Sequence, residues 1–199
     1  MKKIVEFFKS EILPLLVILL LVTSVRSSLA DHYHVPSSSM EYTLMPGDHL
    51  VVDKTAYGLR LPYTKIDLIP GKDPAPGEVV IFDSPVEDLL LIKRVVAVEG
   101  DVVEVRDGRL WVNGNQVAIT AGGDVEKFNE REAFLNLRDG GGPDLGRSRI
   151  PKDMLLVLGD HRGNSRDGRY FGLINKKEIY GQALGVFYRK QEGFVWKEL

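Results

Sequence analysis

The hydrophobic pattern divides the chain into an apolar N-terminal run and a longer body of short alternating segments. Residues 12–22 carry no charge, and the uncharged run continues to Val25 before Arg26 ends it. A helix that spans a bilayer needs about 20 apolar residues, whereas a run of about 10–14 is typical of the core of a signal peptide. By length alone the run therefore favours a cleaved secretion signal, with small residues ending at Ala30 as the cleavage site.

An uncleaved membrane anchor is the alternative for the same segment. Lys9 and Arg26 flank the run, and their long side chains can reach the two interfaces and lengthen the effective span. In either interpretation, the lysines at positions 2, 3 and 9 predict a cytoplasmic N-terminus and an exported body.

After Ala30 the pattern becomes that of β-strands. Short runs rich in Val, Ile and Leu are bounded by Gly, Pro, Asp or Asn, and they lie at residues 48–54, 78–84, 89–100, 101–108 and 109–119. Asp107-Gly108 and Asn113-Gly114 are strong tight-turn signals. The stretch from residue 79 to residue 119 is therefore predicted to be an antiparallel meander.

Residues 120–149 interrupt this pattern, since they are polar, rich in glycine and weakly periodic. Strand character returns at residues 153–160 and again at 179–189. No segment after the N-terminal run has a convincing helical period. We therefore predict a mainly β body, a coiled antiparallel sheet of barrel-like type with an inserted excursion.

Composition narrows the classes of function. At 199 residues the chain is expected to form one domain, and with 44% hydrophobic and 27% charged residues it can bury a core. The net charge of −2 predicts no nucleic-acid partner, because nucleic-acid-binding proteins usually carry a basic face. The absence of cysteine excludes disulfides, thiol catalysis and cysteine-based zinc sites. We expect no metal and no cofactor, and the sequence does not indicate an oligomeric state.

Three consecutive serines, Ser37 to Ser39, lie between a proline and a methionine. Such a run is usually a solvated loop, but a serine becomes a nucleophile when a base removes its proton. His161 lies in the chemically dense segment 158–173, so Ser39, His161 and either Asp160 or Asp167 form one candidate triad. Nothing in their spacing supports it.

Lysine is the alternative base, provided that burial lowers its pKa enough to make it neutral at working pH. Lys93 lies in an apolar run that is typical of a strand buried on both faces. Alternation along the strand sends Lys93 and Arg94 to opposite faces. An exposed Lys-Arg pair at a strand end is the other interpretation, and the run alone leaves both open.

Several segments, taken in order, closely resemble the bacterial type I signal peptidase (leader peptidase) family. After the hydrophobic segment come "PSSSM", "GDHLVVDK", "GEVVIFDSP", "LIKRVVAVEGD" and "GDHRGNSRDGRYFG". The resemblance covers nearly the whole chain, and it implies a signal peptidase fold with one N-terminal transmembrane helix and a Ser–Lys dyad. His161 falls on a variable position of the last motif, which weakens the triad interpretation.

The resemblance implies a role for each residue that matches a family motif. It identifies Ser39 as the nucleophile and Lys93 as the general base. The hydroxyl of Ser37 and the backbone N–H of Ser39 would form the oxyanion hole, and Ser165 would orient the lysine. Ser38 falls on a variable position and receives no role. Ion pairs would support the site through Arg94, Asp160, Asp167 and Arg169.

The resemblance also implies the partners: the signal peptides of exported preproteins, and the lipid bilayer. The substrate would carry small residues at the first and third positions before the cut, and it would add as an extended peptide along strand edges. Shallow apolar pockets are expected beside the dyad, formed by Met40, Leu44, Leu91 and Ile92. The hydrophobic segment becomes an uncleaved single-pass anchor in the bacterial inner membrane, with the catalytic domain on the extracytoplasmic side.

The expected organisation has four parts. Residues 1–30 form the cytoplasmic N-terminus and the anchor. The catalytic β-domain comprises residues 31–119 and 150–190. Residues 120–149 are a variable insertion, a reduced second domain, and residues 191–199 are a C-terminal tail.

One position departs from the family pattern. Where the family usually has proline in "SMxPTL", this chain has Tyr42, which removes a fixed φ angle and adds bulk near the cleft. One alternative is therefore a processing peptidase with the same dyad, specialised for one secretion or pilus system. Another is a non-enzymatic exported β-domain that binds extended peptides, which would leave the joint presence of Ser39, Lys93 and Ser165 unexplained.

Overall fold

The structure is a computed structural model that describes residues 8–28, 30–60, 67–119 and 124–199. Strands dominate it, which confirms the predicted mainly β fold. In chain order they are β1 Ala30–His34, β2 His49–Asp53, β3 Gly58–Arg60, β4 Asp67–Pro70, β5 Val79–Asp83, β6 Leu90–Ala97, β7 Val102–Arg106, β8 Arg109–Val112, β9 Asn115–Gln116, β10 Val125–Phe128, β11 Arg131–Phe134, β12 Leu145–Arg149, β13 Met154–Leu158, β14 Ile174–Asn175, β15 Ile179–Arg189 and β16 Gly193–Glu198.

The apolar run near the N-terminus is helical. A π-helical turn, Phe8–Ile12, leads into helix α1, Leu13–Ser28, whose leucines favour a helix. Large apolar side chains along α1, such as Leu15 and Ile18, are exposed. Within the described ranges, no helix has both the length and the apolar character that crossing a membrane requires. The lysines at positions 2 and 3 lie outside the described residues, as do the side chains at positions 9 and 26.

The main sheet has the strand order β1-β2-β15-β5-β6-β13-β14, and β16 also pairs with β15. Its pairings are antiparallel. The long strand β15 has register irregularities against both β2 and β5, and such bulges increase the local twist. A smaller sheet has the order β12-β7-β8-β9, and separate hairpins are formed by β10-β11 and β3-β4.

Strands β5 and β6 are buried on both faces of the main sheet. Val79 and Ile81 pack in one core cluster, whereas Val80 and Phe82 pack in another on the opposite face. Strand β6, which carries Lys93, divides its side chains in the same way. A strand covered on both sides reads as a continuous apolar run, which explains the sequence around this lysine.

The predicted meander from residue 79 to residue 119 is wrong in one place. Strand β6 pairs with β5 and β13, whereas β7 pairs with β8 and β12, so the chain changes sheets between β6 and β7. The connecting turn closes with a hydrogen bond from Asp101 N to Val98 O (3.1 Å). Strand β13 is distant in sequence, and alternation within a strand does not reveal which strand will pair with it.

Both predicted tight turns are confirmed. Asp107 and Gly108 have φ angles of 48° and 75°, and Asn113 and Gly114 have φ angles of 54° and 86°. Two consecutive residues with positive φ are typical of a type I′ turn, whose twist matches that of a hairpin. These turns connect β7 to β8 and β8 to β9.

The polar excursion and the C-terminal segment contain strands. Strands β10 and β11 form a hairpin, and β12 pairs with β7 in the smaller sheet. Residues 120–123 lie outside the described part of the chain. The expected tail, residues 191–199, contains strand β16. This strand pairs with β15, and its Val195 packs against the main core. The division into a catalytic domain and an insertion stays a prediction.

Candidate active site

The serine run lies on the turn that connects β1 to β2. Met40 and Leu44 are fully buried beneath this turn, and Leu44 N donates to Met40 O (2.8 Å). Burying these two apolar side chains holds the turn against the core. As a result, Ser39 is held at the mouth of a cleft, opposite strand β6.

Strand β6 brings a lysine to this serine. Lys93 Nζ lies 2.7 Å from Ser39 Oγ and donates to Ile92 O (3.0 Å). Only 3% of Lys93 is exposed, and this burial lowers its pKa from 10.5 to about 8, against the opposing effect of Asp167 and Asp160. A lysine in this state supplies a neutral amine near physiological pH, which is what a general base requires.

The two other serines of the run differ in their surroundings. Ser37 Oγ is exposed and lies 3.4 Å from Ser39 Oγ, on the same side of the turn. Ser38 Oγ accepts a hydrogen bond from Asn164 Nδ2 (3.0 Å) and is thereby directed to the loop that follows β13. Ser37 is therefore the hydroxyl that can serve chemistry at Ser39.

A buried ion pair joins strand β6 to the loop after β13, which we call the catalytic loop, residues 159–169. Arg94 binds Asp160 through two nitrogens, Nε (2.9 Å) and Nη2 (2.7 Å), and both side chains are almost fully buried. The Thr43 hydroxyl also donates to Asp160, and Arg94 Nη1 donates to Gly77 O (2.7 Å). Such bidentate geometry fixes relative orientation as well as distance.

A second buried pair shapes the end of this loop. Asp167 accepts from Arg169 Nε and Nη2, each at 2.8 Å, and neither side chain is exposed. Asp167 also caps the short helix α2, Gly168–Phe171, through Arg169 N (3.2 Å), and accepts from Gly159 N (3.0 Å). The carboxylate thus ties the two ends of the catalytic loop together.

Ser165 is buried in the same loop, against the backbone of Gly159. A Cβ atom added at Gly159 would lie 2.1 Å from Ser165 Oγ and 2.5 Å from Ser39 O, so only glycine permits this packing. Ser165 Oγ has no hydrogen-bond partner among the described residues. The predicted bond to Lys93 is thus not formed here, and the lysine-orienting role stays a prediction.

Sequence reasoning missed one buried pair. Arg162 donates to Glu126 through Nη1 (3.0 Å) and Nη2 (2.5 Å), and both side chains are fully buried. Arg162 Nε also donates to Gly159 O (3.1 Å). Arg162 could have been identified within the motif "GDHRGNSRDGR", but nothing around Glu126 in β10 distinguishes it from an ordinary strand residue.

An apolar cavity of about 230 Å³ opens beside the dyad. Three of the four predicted pocket residues, Met40, Leu91 and Ile92, line it. Leu44 does not, because it is fully buried under the turn and packs in the core. The remaining lining residues are Tyr33, Val35, Pro36, Ser37, Ser39, Leu89, Leu90 and Lys93.

Tyr42, the departure from the family motif, does not line this cavity. Its ring is exposed, and the Arg138 guanidinium lies 5.5 Å from the ring centroid. The tyrosine therefore adds its bulk to a different part of the surface.

The histidine triad is not formed. His161 is buried, and its Nδ1 lies 3.2 Å from the Ser38 carbonyl oxygen, while its Nε2 lies 2.8 Å from Asp139 Oδ2. Both ring nitrogens are therefore directed to groups other than Ser39 Oγ.

Comparison with known proteins shows which family the chain resembles. The family model described as "Signal peptidase, peptidase S26" matches residues 8–188. Signal peptidase I of Pseudomonas aeruginosa is 34% identical and covers 92% of this chain and 72% of that protein. Signal peptidase I P of Bacillus subtilis subsp. natto is 32% identical over 87% of this chain and 85% of that protein. A solved signal peptidase I from Enterococcus faecalis is 29% identical, with a TM-score of 0.42 over 56% of this chain and 97% of that chain. Because the family model matches most of its length, the chain belongs to the signal peptidase family, peptidase S26.

Proposed function

We propose that this chain is a membrane-anchored serine endopeptidase that removes signal peptides from exported preproteins, with Ser39 as nucleophile and Lys93 as general base. Its family makes it a serine peptidase that acts on signal peptides. The observation that carries the dyad is the distance of 2.7 Å between Lys93 Nζ and Ser39 Oγ in a buried setting.

Acylation follows from this geometry. Neutral Lys93 accepts the proton of the Ser39 hydroxyl, and Oγ forms a bond to the scissile carbonyl carbon as the carbonyl π-bond breaks. The negative charge develops on the carbonyl oxygen, where the Ser37 hydroxyl and the Ser39 backbone N–H stabilise it. Losing one such donor typically lowers the rate by about 10²–10³-fold.

Acylation ends when Lys93 passes its proton to the leaving amine and the peptide bond breaks, so that the signal peptide remains esterified to Ser39. Deacylation uses the same groups. The neutral lysine takes a proton from water, which attacks the ester carbonyl, and Lys93 then returns this proton to Ser39 Oγ as the ester bond breaks. No cofactor takes part in either step.

The ion pairs of the catalytic loop support this chemistry by rigidity. Arg94 with Asp160, and Asp167 with Arg169, hold the loop against the serine turn and strand β6. We assign to Ser165 the role of orienting Lys93, since the buried hydroxyl of Ser165 lies on the catalytic loop.

The cavity beside Ser39 supports small apolar residues in the substrate. At about 230 Å³ and lined by Met40, Leu91 and Ile92, it suits short side chains before the cut. An extended signal peptide would lie along residues 90–93 of β6, since β13 pairs with this strand only from Arg94 onward.

We assign residues 12–25 to a membrane anchor, with the catalytic domain on the extracytoplasmic side of the bacterial inner membrane. The exposed apolar side chains of α1 support this, since so large an apolar surface favours contact with lipid or protein. Only 12 residues separate Arg26 from Ser39, a reach of at most roughly 45 Å even when fully extended. The serine would therefore act near the membrane surface, where signal peptides emerge.

Substitution at the dyad tests the proposal. Ser39→Ala and Lys93→Ala should each abolish cleavage of a detergent-solubilised preprotein, because each removes one half of the proton transfer. Ser38→Ala, a matched change in the same run, should retain cleavage within a few-fold. Circular dichroism on all three proteins verifies that the fold is intact.

Full activity in Lys93→Ala would show that another group is the base, and the dyad would be wrong. Full activity in Ser39→Ala would rule out the proposed nucleophile.

A further inference from the structure

We propose that His161 is a positioning residue, which orients the peptide unit between Ser38 and Ser39 so that the Ser39 N–H faces the oxyanion. This inference rests on the proposed function, because it concerns the same oxyanion hole. Neither the family motif nor the dyad accounts for a buried imidazole at this position.

Two contacts join His161 to the backbone of the nucleophile. Its own backbone N donates to Ser39 O (3.1 Å), and its ring Nδ1 lies 3.2 Å from Ser38 O. Only 4% of His161 is exposed, so water has little access to its ring at this contact. The imidazole therefore holds the carbonyl that immediately precedes the proposed nucleophile.

Peptide geometry turns this contact into an effect on catalysis. The carbonyl of Ser38 and the N–H of Ser39 belong to one planar unit, in which the two groups point in opposite directions. A donor that holds Ser38 O toward the catalytic loop thereby directs the Ser39 N–H away from that loop, into the cleft. Rotation of this unit would remove one oxyanion donor while leaving Ser39 Oγ in place.

The surroundings of the ring identify the nitrogen that matters. A carbonyl oxygen only accepts, so Nδ1 must carry a hydrogen for this contact to be a hydrogen bond. Nε2 faces Asp139 Oδ2 (2.8 Å), and Glu41 Oε2 lies 3.5 Å from Nδ1. The contact with Ser38 O depends on Nδ1 alone.

The course of the loop backbone does not depend on this side chain. Asn136 N donates to Asp160 O (2.9 Å), and Arg162 N donates to Asn136 O (3.1 Å), so main-chain bonds flank His161 on both sides. The ion pairs of Asp160 and Arg162 hold the loop in addition. The imidazole is therefore not needed to shape the loop, and it can orient the peptide unit between Ser38 and Ser39.

Two polar variants separate the two ring nitrogens. In His161→Asn the side-chain amide nitrogen takes the place of Nδ1, whereas in His161→Gln it takes the place of Nε2. We expect His161→Gln to lower kcat for preprotein cleavage by at least about 10-fold and by at most the roughly 10²–10³-fold of a lost oxyanion donor, with KM unchanged. His161→Asn should retain kcat within a few-fold, because it restores a donor to Ser38 O.

Inhibition by a peptide aldehyde distinguishes orientation of the oxyanion hole from a purely structural role of His161. Ser39 Oγ adds to its carbonyl carbon and an oxyanion forms in the hole, whereas the same peptide with a neutral C-terminal amide binds without one. His161→Gln should weaken aldehyde inhibition by the same factor as kcat and leave binding of the peptide amide unchanged.

Two outcomes would overturn the inference: wild-type kcat in His161→Gln, or equal losses in His161→Gln and His161→Asn. Ser39→Ala is measured in the same assay. If Ser39→Ala is inactive while both His161 variants cleave normally, only this inference fails; if Ser39→Ala cleaves, the proposed function fails.

Discussion

Lys93 combines two properties that are costly together, a basic side chain and nearly complete burial. Its pKa is lowered by desolvation to about 8 in the folded chain, against 10.5 in the unfolded chain. Below pH 8 the lysine is protonated in both states, so folding must bury a charge. Burying this charge lowers the free energy of unfolding by roughly 3 kcal/mol, as the size of the pKa shift indicates. The loss decreases as the pH rises from 8 toward 10.5. The site is thus built at the expense of stability near neutral pH.

The same lowered pKa predicts the pH dependence of activity. Only the neutral amine can accept the Ser39 proton, so kcat/KM should rise with pH as one group with a pKa near 8 loses its proton, and then level off. Initial rates on a preprotein from about pH 6 to about pH 10 measure this. A profile that falls above pH 8, or one that stays flat throughout, would contradict a lysine base. Circular dichroism at each pH separates ionisation from unfolding.

At the scale of elements, ion pairs to two strands and one internal ion pair hold the catalytic loop. Arg94 of β6 binds Asp160, Glu126 of β10 binds Arg162, and Asp167 binds Arg169 within the loop and helix α2. The hairpin β10-β11, which lies in the expected insertion, therefore contributes directly to the geometry beside the dyad.

Glu126 should consequently matter far more for stability than its position in a polar excursion indicates. Glu126→Ala leaves Arg162 buried without its partner, and such a change typically lowers the free energy of unfolding by about 3–5 kcal/mol. Glu132→Ala, a matched change at an exposed site of the same hairpin, should stay within about 0.5 kcal/mol. Urea denaturation measures both proteins. Equal losses in the two variants would show that the buried pair does not stabilise the loop.

The strand pattern was predictable at this scale only where contacts are local. The I′ turns at Asp107-Gly108 and Asn113-Gly114 are confirmed because residues next to each other determine them. The pairing of β6 with β13, and of β12 with β7, was not predicted. Both join segments that are far apart in sequence, and alternation does not specify a partner.

At the scale of the whole molecule, helix α1 leads almost directly into β1, the edge strand of the main sheet. The exposed apolar side chains of the helix therefore lie close in the chain to the sheet that carries the cleft. An anchor at this place would hold the catalytic body at the membrane surface.

We expect the protein produced in a bacterial host to fractionate with membranes and to require detergent for extraction. A variant that lacks residues 8–28 should be recovered without detergent. Mass spectrometry of the full-length protein should give a chain that retains these residues. A mature chain that begins at Asp31 would instead identify the apolar run as a cleaved signal.

The amino-acid sequence by itself determined the mainly β character, the tight turns, and the segments in which Ser39, Lys93 and the loop residues lie. Alternation and turn residues are local properties of the chain, and motif order follows from the sequence, so none of them depends on the tertiary structure. Only the tertiary structure decided which groups meet: Lys93 with Ser39 across 54 residues, Arg162 with Glu126 across 36, and Leu44 beneath the cavity rather than in it. The physical reason is that these contacts, and the burial that lowers the pKa of Lys93, depend on pairing and packing between distant strands.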